Sequence, residues 1–339
     1  MKIKEAIKKV VDGEDLTEKQ TRDVFSEIMS GKTTPAQIGA FITALRVKGE
    51  TVDEITGAAK VMRKKAAKIK TKTKSSSILD TCGTGGTGTK AFNISTISAF
   101  VLAGCGVKVA KHGNRAISSS CGSADVLEKL GVKLDVSIRT VAKCIDKVNI
   151  GFLFAPRFHG AMRYASPPRR EIGIRTVFNI LGPLCNPAGA RCQVIGVYDK
   201  KLTEVIAKVL KKLGSKRAYV VHGAGPLDEV TITGVTRVSE LKNGKIRTYF
   251  LKPGDFGMKR SILEGIKGGT VAQNANIVKR ILSGEKGSKR DIVLMNAALA
   301  LMAADKVKSL KQGVKMAIRS IDSGAALAKL NELIKITGK

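Results

Sequence analysis

The sequence predicts an α/β protein: a parallel sheet flanked by helices, preceded by a small all-helical domain. Three observations point there. The first 66 residues repeat their apolar positions at helical spacing behind three capping signals. From residue 77 onward, short apolar runs alternate with helical periods. Two of those runs lead directly into loops dense in glycine, serine and short polar residues. A length of 339 residues suits about two domains.

The elements follow in order. Thr17-Glu-Lys-Gln20, Thr34-Pro-Ala-Gln37 and Thr51-Val-Asp-Glu54 each fit a capping box, and Pro35 stands at a first helical position. Behind them Val24, Ile28 and Met29, then Ile38, Phe41, Ile42 and Leu45, then Ile55, Ala58, Ala59 and Met62 form apolar stripes. The polar stretch 70–77 reads as a linker. Strands are predicted at 78–80, 108–111, 151–154, 193–197 and 218–222, with further β-like runs at 229–233 and 245–250. Helices are predicted at 95–105, 123–130, 140–148 and 203–213, and again through the tail from 271 to 333.

Composition narrows the function. Apolar residues make up 43%, a globular value, while aromatics are only 4% with no Trp, too few for a base-stacking nucleic-acid platform. No apolar run reaches a membrane-spanning length, and the mixed-charge N-terminus has no signal core, so the cytoplasm is the expected compartment. The six cysteines form no CxxC pair and read as reduced, mostly buried thiols. The formal charge of +32 draws phosphorylated ligands and polyanions without choosing between them; a solvated basic surface accounts for it without a nucleic-acid role.

Four segments carry chemistry. In Asp80-Thr-Cys-Gly-Thr-Gly-Gly-Thr-Gly88, glycines follow a strand, and Asn93, Ser95 and Thr96 open the next helix. Glycine lets backbone N–H groups converge on an anion, and a helix N-terminus adds its positive pole. A tight connection with no ligand has the same look. Lys111-His-Gly-Asn-Arg-Ala-Ile-Ser-Ser-Ser-Cys-Gly-Ser123 is a second such cradle behind a second strand. Two cradles at the carboxyl edge of one sheet reinforce each other, because open α/β sheets bind ligands there. The third segment holds Arg169, Arg170 and Arg175, suited to grip a carboxylate or phosphate or to pair with Glu171 on a surface helix; it runs into the rigid turn 182–187. The fourth ends a strand at His222-Gly and places Asp228 beside Glu229, hard oxygen donors suited to Mg²⁺ near phosphates. His112, His159 and His222 lack zinc spacing. No nucleophile triad stands out, so catalysis is expected to be electrostatic and positional, with no catalytic acid, base or nucleophile assigned.

In this order, and over nearly the whole chain, the segments resemble the anthranilate phosphoribosyltransferase family. The most specific pieces are Lys111-His-Gly-Asn114 with Gly122-Ser-Ala-Asp125, Arg175-Thr-Val-Phe-Asn-Ile-Leu-Gly-Pro183, and Asp228-Glu229. The resemblance implies a fold similar to class II nucleoside phosphorylases. Residues 1–70, completed by a helical segment near 161–185, would form the helical domain, and residues 75–339 the α/β domain that binds phosphoribosyl pyrophosphate. It implies transfer of the phosphoribosyl group to the amine of anthranilate in tryptophan biosynthesis, with Mg²⁺, by a homodimer joined through the helical domain. Contacts to phosphoribosyl pyrophosphate would come from Gly83, Gly86, Thr87, Asn93, Ile94, Ser95, Thr96, Lys111, His112, Gly113, Asn114, Arg115, Ala116, Ile117, Ser118, Ser119 and Ser123. Anthranilate would meet Gly83, Asn114 and Arg169, and Mg²⁺ would meet Ser95, Asp228 and Glu229.

The chain departs from the family at a few places. Thr87 stands where Asp is usual, Ala91 where Thr or Ser is common, and Arg157 and Gly160 where His or Asn, and Pro, are common. At about 0.5–1.5 kcal/mol per ordinary hydrogen bond, a single lost donor alters affinity only several-fold. Two alternatives stand beside this reading: a pyrimidine nucleoside phosphorylase of the same architecture, and a relative without catalysis that binds nucleic acid.

Overall fold

The computed structural model describes residues 1–86, 88–89, 91–116 and 121–338. Four helices open the chain: α1 (Ile3–Val11), α2 (Glu18–Ile28), α3 (Pro35–Lys48) and α4 (Val52–Lys65). Each of the three capping boxes forms. In α3 the Gln37 N–H donates to Thr34 Oγ1 at 3.2 Å while the Thr34 N–H donates to Gln37 Oε1 at 3.1 Å. Phe25, Ile28, Phe41, Ile42, Leu45 and Ile55 fill the bundle core.

The remainder alternates strand and helix: β1 (Ile78–Gly83), α5 (Ile94–Gly104), β2 (Lys108–Gly113), α6 (Ser123–Lys129), α7 (Ile138–Val148), β3 (Ile150–Phe154), then the short helices α8 (Ala155–Phe158), α9 (Ser166–Ile172) and α10 (Phe178–Leu181). There follow β4 (Cys192–Gly196), α11 (Leu202–Lys212), β5 (Arg217–Gly223), β6 (Thr236–Lys242), β7 (Lys245–Leu251), and α12 (Val271–Leu282), α13 (Ser288–Ala303), α14 (Leu310–Asp322) and α15 (Ala325–Gly338). The sheet order is β3-β2-β1-β4-β5-β6-β7. Chain order reverses direction across β1 and β4, which makes that pair the topological switch point.

The sheet corrects two expectations. It is mixed rather than all parallel, because β6 and β7 pair antiparallel on one edge. The run 229–233 is not a strand; the strand is β6, a few residues on. The backbone of Val230 exchanges hydrogen bonds with the Asn296 amide on α13, both at 2.9 Å, and the Thr231 and Thr233 N–H groups go to the Thr236 and Thr231 hydroxyls. Side chains have taken the groups that a sheet ladder would need.

Alternate residues of the strands feed cores on opposite faces of the sheet, as the two-residue period requires, and Ile78, Ala110 and Leu153 join a third, smaller cluster. Leu79, Cys192, Val194, Tyr219 and Val221 face α5, α12 and α13, whereas Cys82, Ile195, Ala218 and Val220 belong to the core that continues through α11 into the helical bundle. The bundle therefore shares its core with one face of the sheet. The Phe178 ring on α10 sits 5.6 Å from Phe25, docking the 161–185 segment on the bundle. All six cysteines are free thiols, five of them buried.

Candidate active site

At the carboxyl end of β1 the chain turns through Gly85, Gly86 and Gly88, all at positive φ near +70°, where residues with a Cβ are strained. Gly83 and Gly196 end the neighbouring strands β1 and β4, and any Cβ there would collide with Asp228. These two glycines admit the acidic loop to the strand ends. Asp228 Oδ2 accepts from the Gly85 N–H at 2.8 Å, and Glu229 Oε1 accepts from the Ser95 N–H at 3.2 Å at the start of α5. The acid pair thus lies on N–H groups of the glycine loop and of the helix N-terminus.

Lys111 crosses beneath them. It is 2% exposed, and its ammonium donates to the Thr81 carbonyl at 2.7 Å and to Ser95 Oγ at 3.2 Å. Burial lowers its pKa, while the Asp80 carboxylate holds the charge in place. Burial, and then the facing Asp228, push the Glu229 carboxyl up to about 8, with Lys111 and the Ser95 N–H opposing. Asp228 is raised as well, by burial. Among the described residues, both recessed acids share the field of Lys111.

Asn93 stands at the N-cap position of α5 without a side-chain cap bond; its amide instead donates to the Cys121 carbonyl at 3.3 Å. The Thr96 hydroxyl is buried with no partner among the described residues. The described ends of the second cradle meet: the Asn114 carbonyl accepts from the Ala124 N–H at 3.1 Å and from Ser123 Oγ at 3.4 Å. Arg115 turns its guanidinium to Asp125 and Glu128, at 3.2 and 2.7 Å, and Asp125 also takes the Ala116 N–H. Thr87, Ile117, Ser118 and Ser119 lie outside the described residues.

Arg169, on α9, lies 5.0 Å over the Phe178 ring with no carboxylate partner among the described residues, and burial lowers its pKa. Arg157 pairs with Asp135, and Gly160 has open space around it. Ala91 forms an antiparallel bridge with Lys267.

The chain matches the glycosyl transferase family a/b domain over residues 75–327 and the glycosyl transferase family helical bundle domain over residues 4–66. The anthranilate phosphoribosyltransferase of Geotalea uraniireducens strain Rf4 is 56% identical over 99% of this chain and all of its own length. That of Moorella thermoacetica is 57% identical over 98% of this chain and 97% of its own. The chain belongs to the anthranilate phosphoribosyltransferase family. Among solved structures, the anthranilate phosphoribosyltransferase of Thermus thermophilus superposes with a TM-score of 0.93 at 42% identity, covering 98% of this chain and 99% of that one. The Saccharomyces cerevisiae enzyme in complex with PRPP and Mg gives 0.90 at 31% identity, over 99% and 98%.

In this member of the anthranilate phosphoribosyltransferase family three groups at the site escape a reading of the sequence. Arg175 donates to the Gly86 carbonyl and stacks 4.5 Å over the Tyr198 ring, latching the glycine loop. The His112 and His159 rings meet Nε2 to Nε2 at 3.2 Å, and His112 Nδ1 faces the Gly182 carbonyl at 3.0 Å. Since Gly182 O only accepts, His112 carries its proton on Nδ1 and His159 donates to it; burial lowers them to about 3 and about 4, so both stay neutral. Asp80 and Asn186 form a buried pair. Arg175 and the two histidines were named from the sequence, but not these partners; for the buried pair, the available signal is Asp80, a carboxylate inside an apolar strand run.

Proposed function

We propose that the chain, an enzyme that transfers the phosphoribosyl group of phosphoribosyl pyrophosphate to the amine of anthranilate, giving N-(5-phosphoribosyl)anthranilate and pyrophosphate in tryptophan biosynthesis, holds its phosphorylated substrate across the two loops at the β1 and β2 ends. The observation that carries this is the convergence of Gly85 N–H, Ser95 N–H, Lys111 and the Asp228-Glu229 pair at the switch point. Residues 1–70 with 161–185 serve as the helical unit, and residues 75–339 as the unit that binds phosphoribosyl pyrophosphate.

Asp228, Glu229 and Ser95 fit Mg²⁺: the donors are all oxygen, and the two carboxylates are recessed beside Lys111. Bound there, Mg²⁺ supplies charge neutralisation of the pyrophosphate. The glycine-loop amides, with Asn93, Thr96 and the second cradle, fix the substrate's orientation. Lys111 stabilises negative charge that grows on the departing pyrophosphate. Arg169 orients the carboxylate of anthranilate. An aryl amine is neutral at pH 7, so positioning and leaving-group stabilisation suffice without a strong base.

Loss of anthranilate fluorescence on adding phosphoribosyl pyrophosphate, with and without Mg²⁺, tests the reading. Mg²⁺-dependent turnover is expected. Phosphorolysis of thymidine with no consumption of anthranilate would reject it in favour of a nucleoside phosphorylase. Salt-dependent binding of single-stranded DNA without turnover would reject it in favour of a non-catalytic relative.

A further inference from the structure

The β1–β2 seam is built unlike its neighbours. β1 pairs with β4 out to Gly83 and Gly196, and β2 pairs with β3 out to Gly113 and Phe154. Between β1 and β2 the paired residues are Ile78 with Lys108 and Leu79 with Val109, although both strands continue well beyond. Side chains fill the opening. The Asp80 carboxylate, wholly buried, accepts the His112 N–H at 3.1 Å on one oxygen and the Asn186 amide at 2.7 Å on the other. The same Asn186 amide donates to the Ala110 carbonyl at 2.8 Å, and the Asn186 oxygen accepts the Ala188 N–H at 2.9 Å. Asp80 and Asn186 thus take up the His112 N–H and the Ala110 carbonyl of β2, and Lys111 takes the Thr81 carbonyl of β1.

Asn186 is itself clamped. It lies in the turn 182–187, whose carbonyls are held at Gly182 by His112, at Pro183 by the Gln193 amide at 3.0 Å, and at Leu184 by Arg63 Nε of α4 at 2.6 Å. A wedge fixed on this many sides sets the strand separation rather than following it. The glycine loop leaves the end of β1 and the second cradle leaves the end of β2, so that separation sets how far apart the two loops begin.

We propose that Asp80 and Asn186 are positioning residues that hold the β1–β2 seam open and so match the spacing of the two loops to a ligand that touches both. The inference rests on the reading that phosphoribosyl pyrophosphate spans the loops. A ligand short enough to occupy one loop is indifferent to the spacing.

The test is calorimetric binding of phosphoribosyl pyrophosphate, inorganic pyrophosphate and ribose 5-phosphate, each with Mg²⁺, to the wild type, Asn186→Ala, Asp80→Asn and the exchange Asp80→Asn with Asn186→Asp. Because small misplacements of binding groups carry large penalties, phosphoribosyl pyrophosphate should weaken about tenfold or more in either single variant, while the two short ligands change less than about twofold. The exchange restores a hydrogen bond across the pair and should recover part of the loss. Equal weakening of all three ligands, or no weakening of the long one, overturns the proposal. If one single variant fails to fold by circular dichroism, the other decides. A wild type that does not bind phosphoribosyl pyrophosphate would instead sink the functional reading and leave the seam geometry untouched.

Discussion

Glu229 holds its proton to about 8 because it is recessed and faces Asp228. Its folded value lies above the ordinary carboxyl value of 4.5, so this group favours the folded state below that value and loses that contribution as pH rises through 8. A cation at the site must displace the proton, so its binding strengthens as pH rises. The melting temperature of the metal-free protein should fall between pH 5 and 9, and the gain on adding Mg²⁺ should grow over the same span; Glu229→Gln should flatten both trends. An Mg²⁺ gain that shrinks with rising pH would remove Glu229 from the metal's shell. Arg169 gives a second residue-scale expectation. Stacked on Phe178 with no carboxylate partner among the described residues, its guanidinium is free to pair with a substrate carboxylate. Loss of a charged hydrogen bond, about 1.5–3 kcal/mol, should raise the anthranilate KM of Arg169→Ala roughly 10- to 100-fold. The KM for phosphoribosyl pyrophosphate should barely move; equal effects on both would reject the role.

Among the elements, the ends of β1 and β4 depend on having no side chain. A Cβ at Gly196 would meet the Asp228 backbone, and the acidic loop would have to lift off the strand ends. Gly196→Ala should weaken Mg²⁺-dependent binding of phosphoribosyl pyrophosphate roughly tenfold or more, about 1.4 kcal/mol, measured by calorimetry. By contrast Thr34→Ala removes only the side-chain cap of α3, within the helical bundle. It should lower stability by about 1 kcal/mol in urea titration and leave kinetics unchanged. The contrast also explains what the sequence disclosed. Capping boxes and helical stripes are local, so α2, α3 and α4 were legible from a few neighbouring letters. The strands with apolar runs were legible for the same reason. The 229–233 segment was not, because its backbone partner Asn296 lies on α13 and no local pattern announces it. The glycine loop and the acid pair could be read as chemistry, whereas the Asp80–Asn186 wedge joins residues that meet only once β1 and the turn 182–187 are folded together.

For the whole molecule, the net charge of +32 acts on two processes in opposite directions. Phosphoribosyl pyrophosphate is a multiply charged anion, and a strongly positive protein raises its encounter rate; salt screens that attraction over a Debye length of about 8 Å at 0.15 M. A second copy of the chain is repelled by the same field. A dimer joined through the helical domain, as the family resemblance implies, would bury the exposed apolar side chains there, Val47 of α3 at 82% and Val11 of α1 at 67% exposure. Apolar contact there must overcome the repulsion between two like-charged chains, and screening assists it. Raising salt from roughly 0.05 to 0.5 M should therefore lower kcat/KM for phosphoribosyl pyrophosphate while shifting light scattering toward the dimer, and Val47→Asp should abolish the second response without changing the first. A dimer that dissociates as salt rises would show that ion pairs rather than apolar burial join the copies, and the α3 surface would no longer be the contact to test.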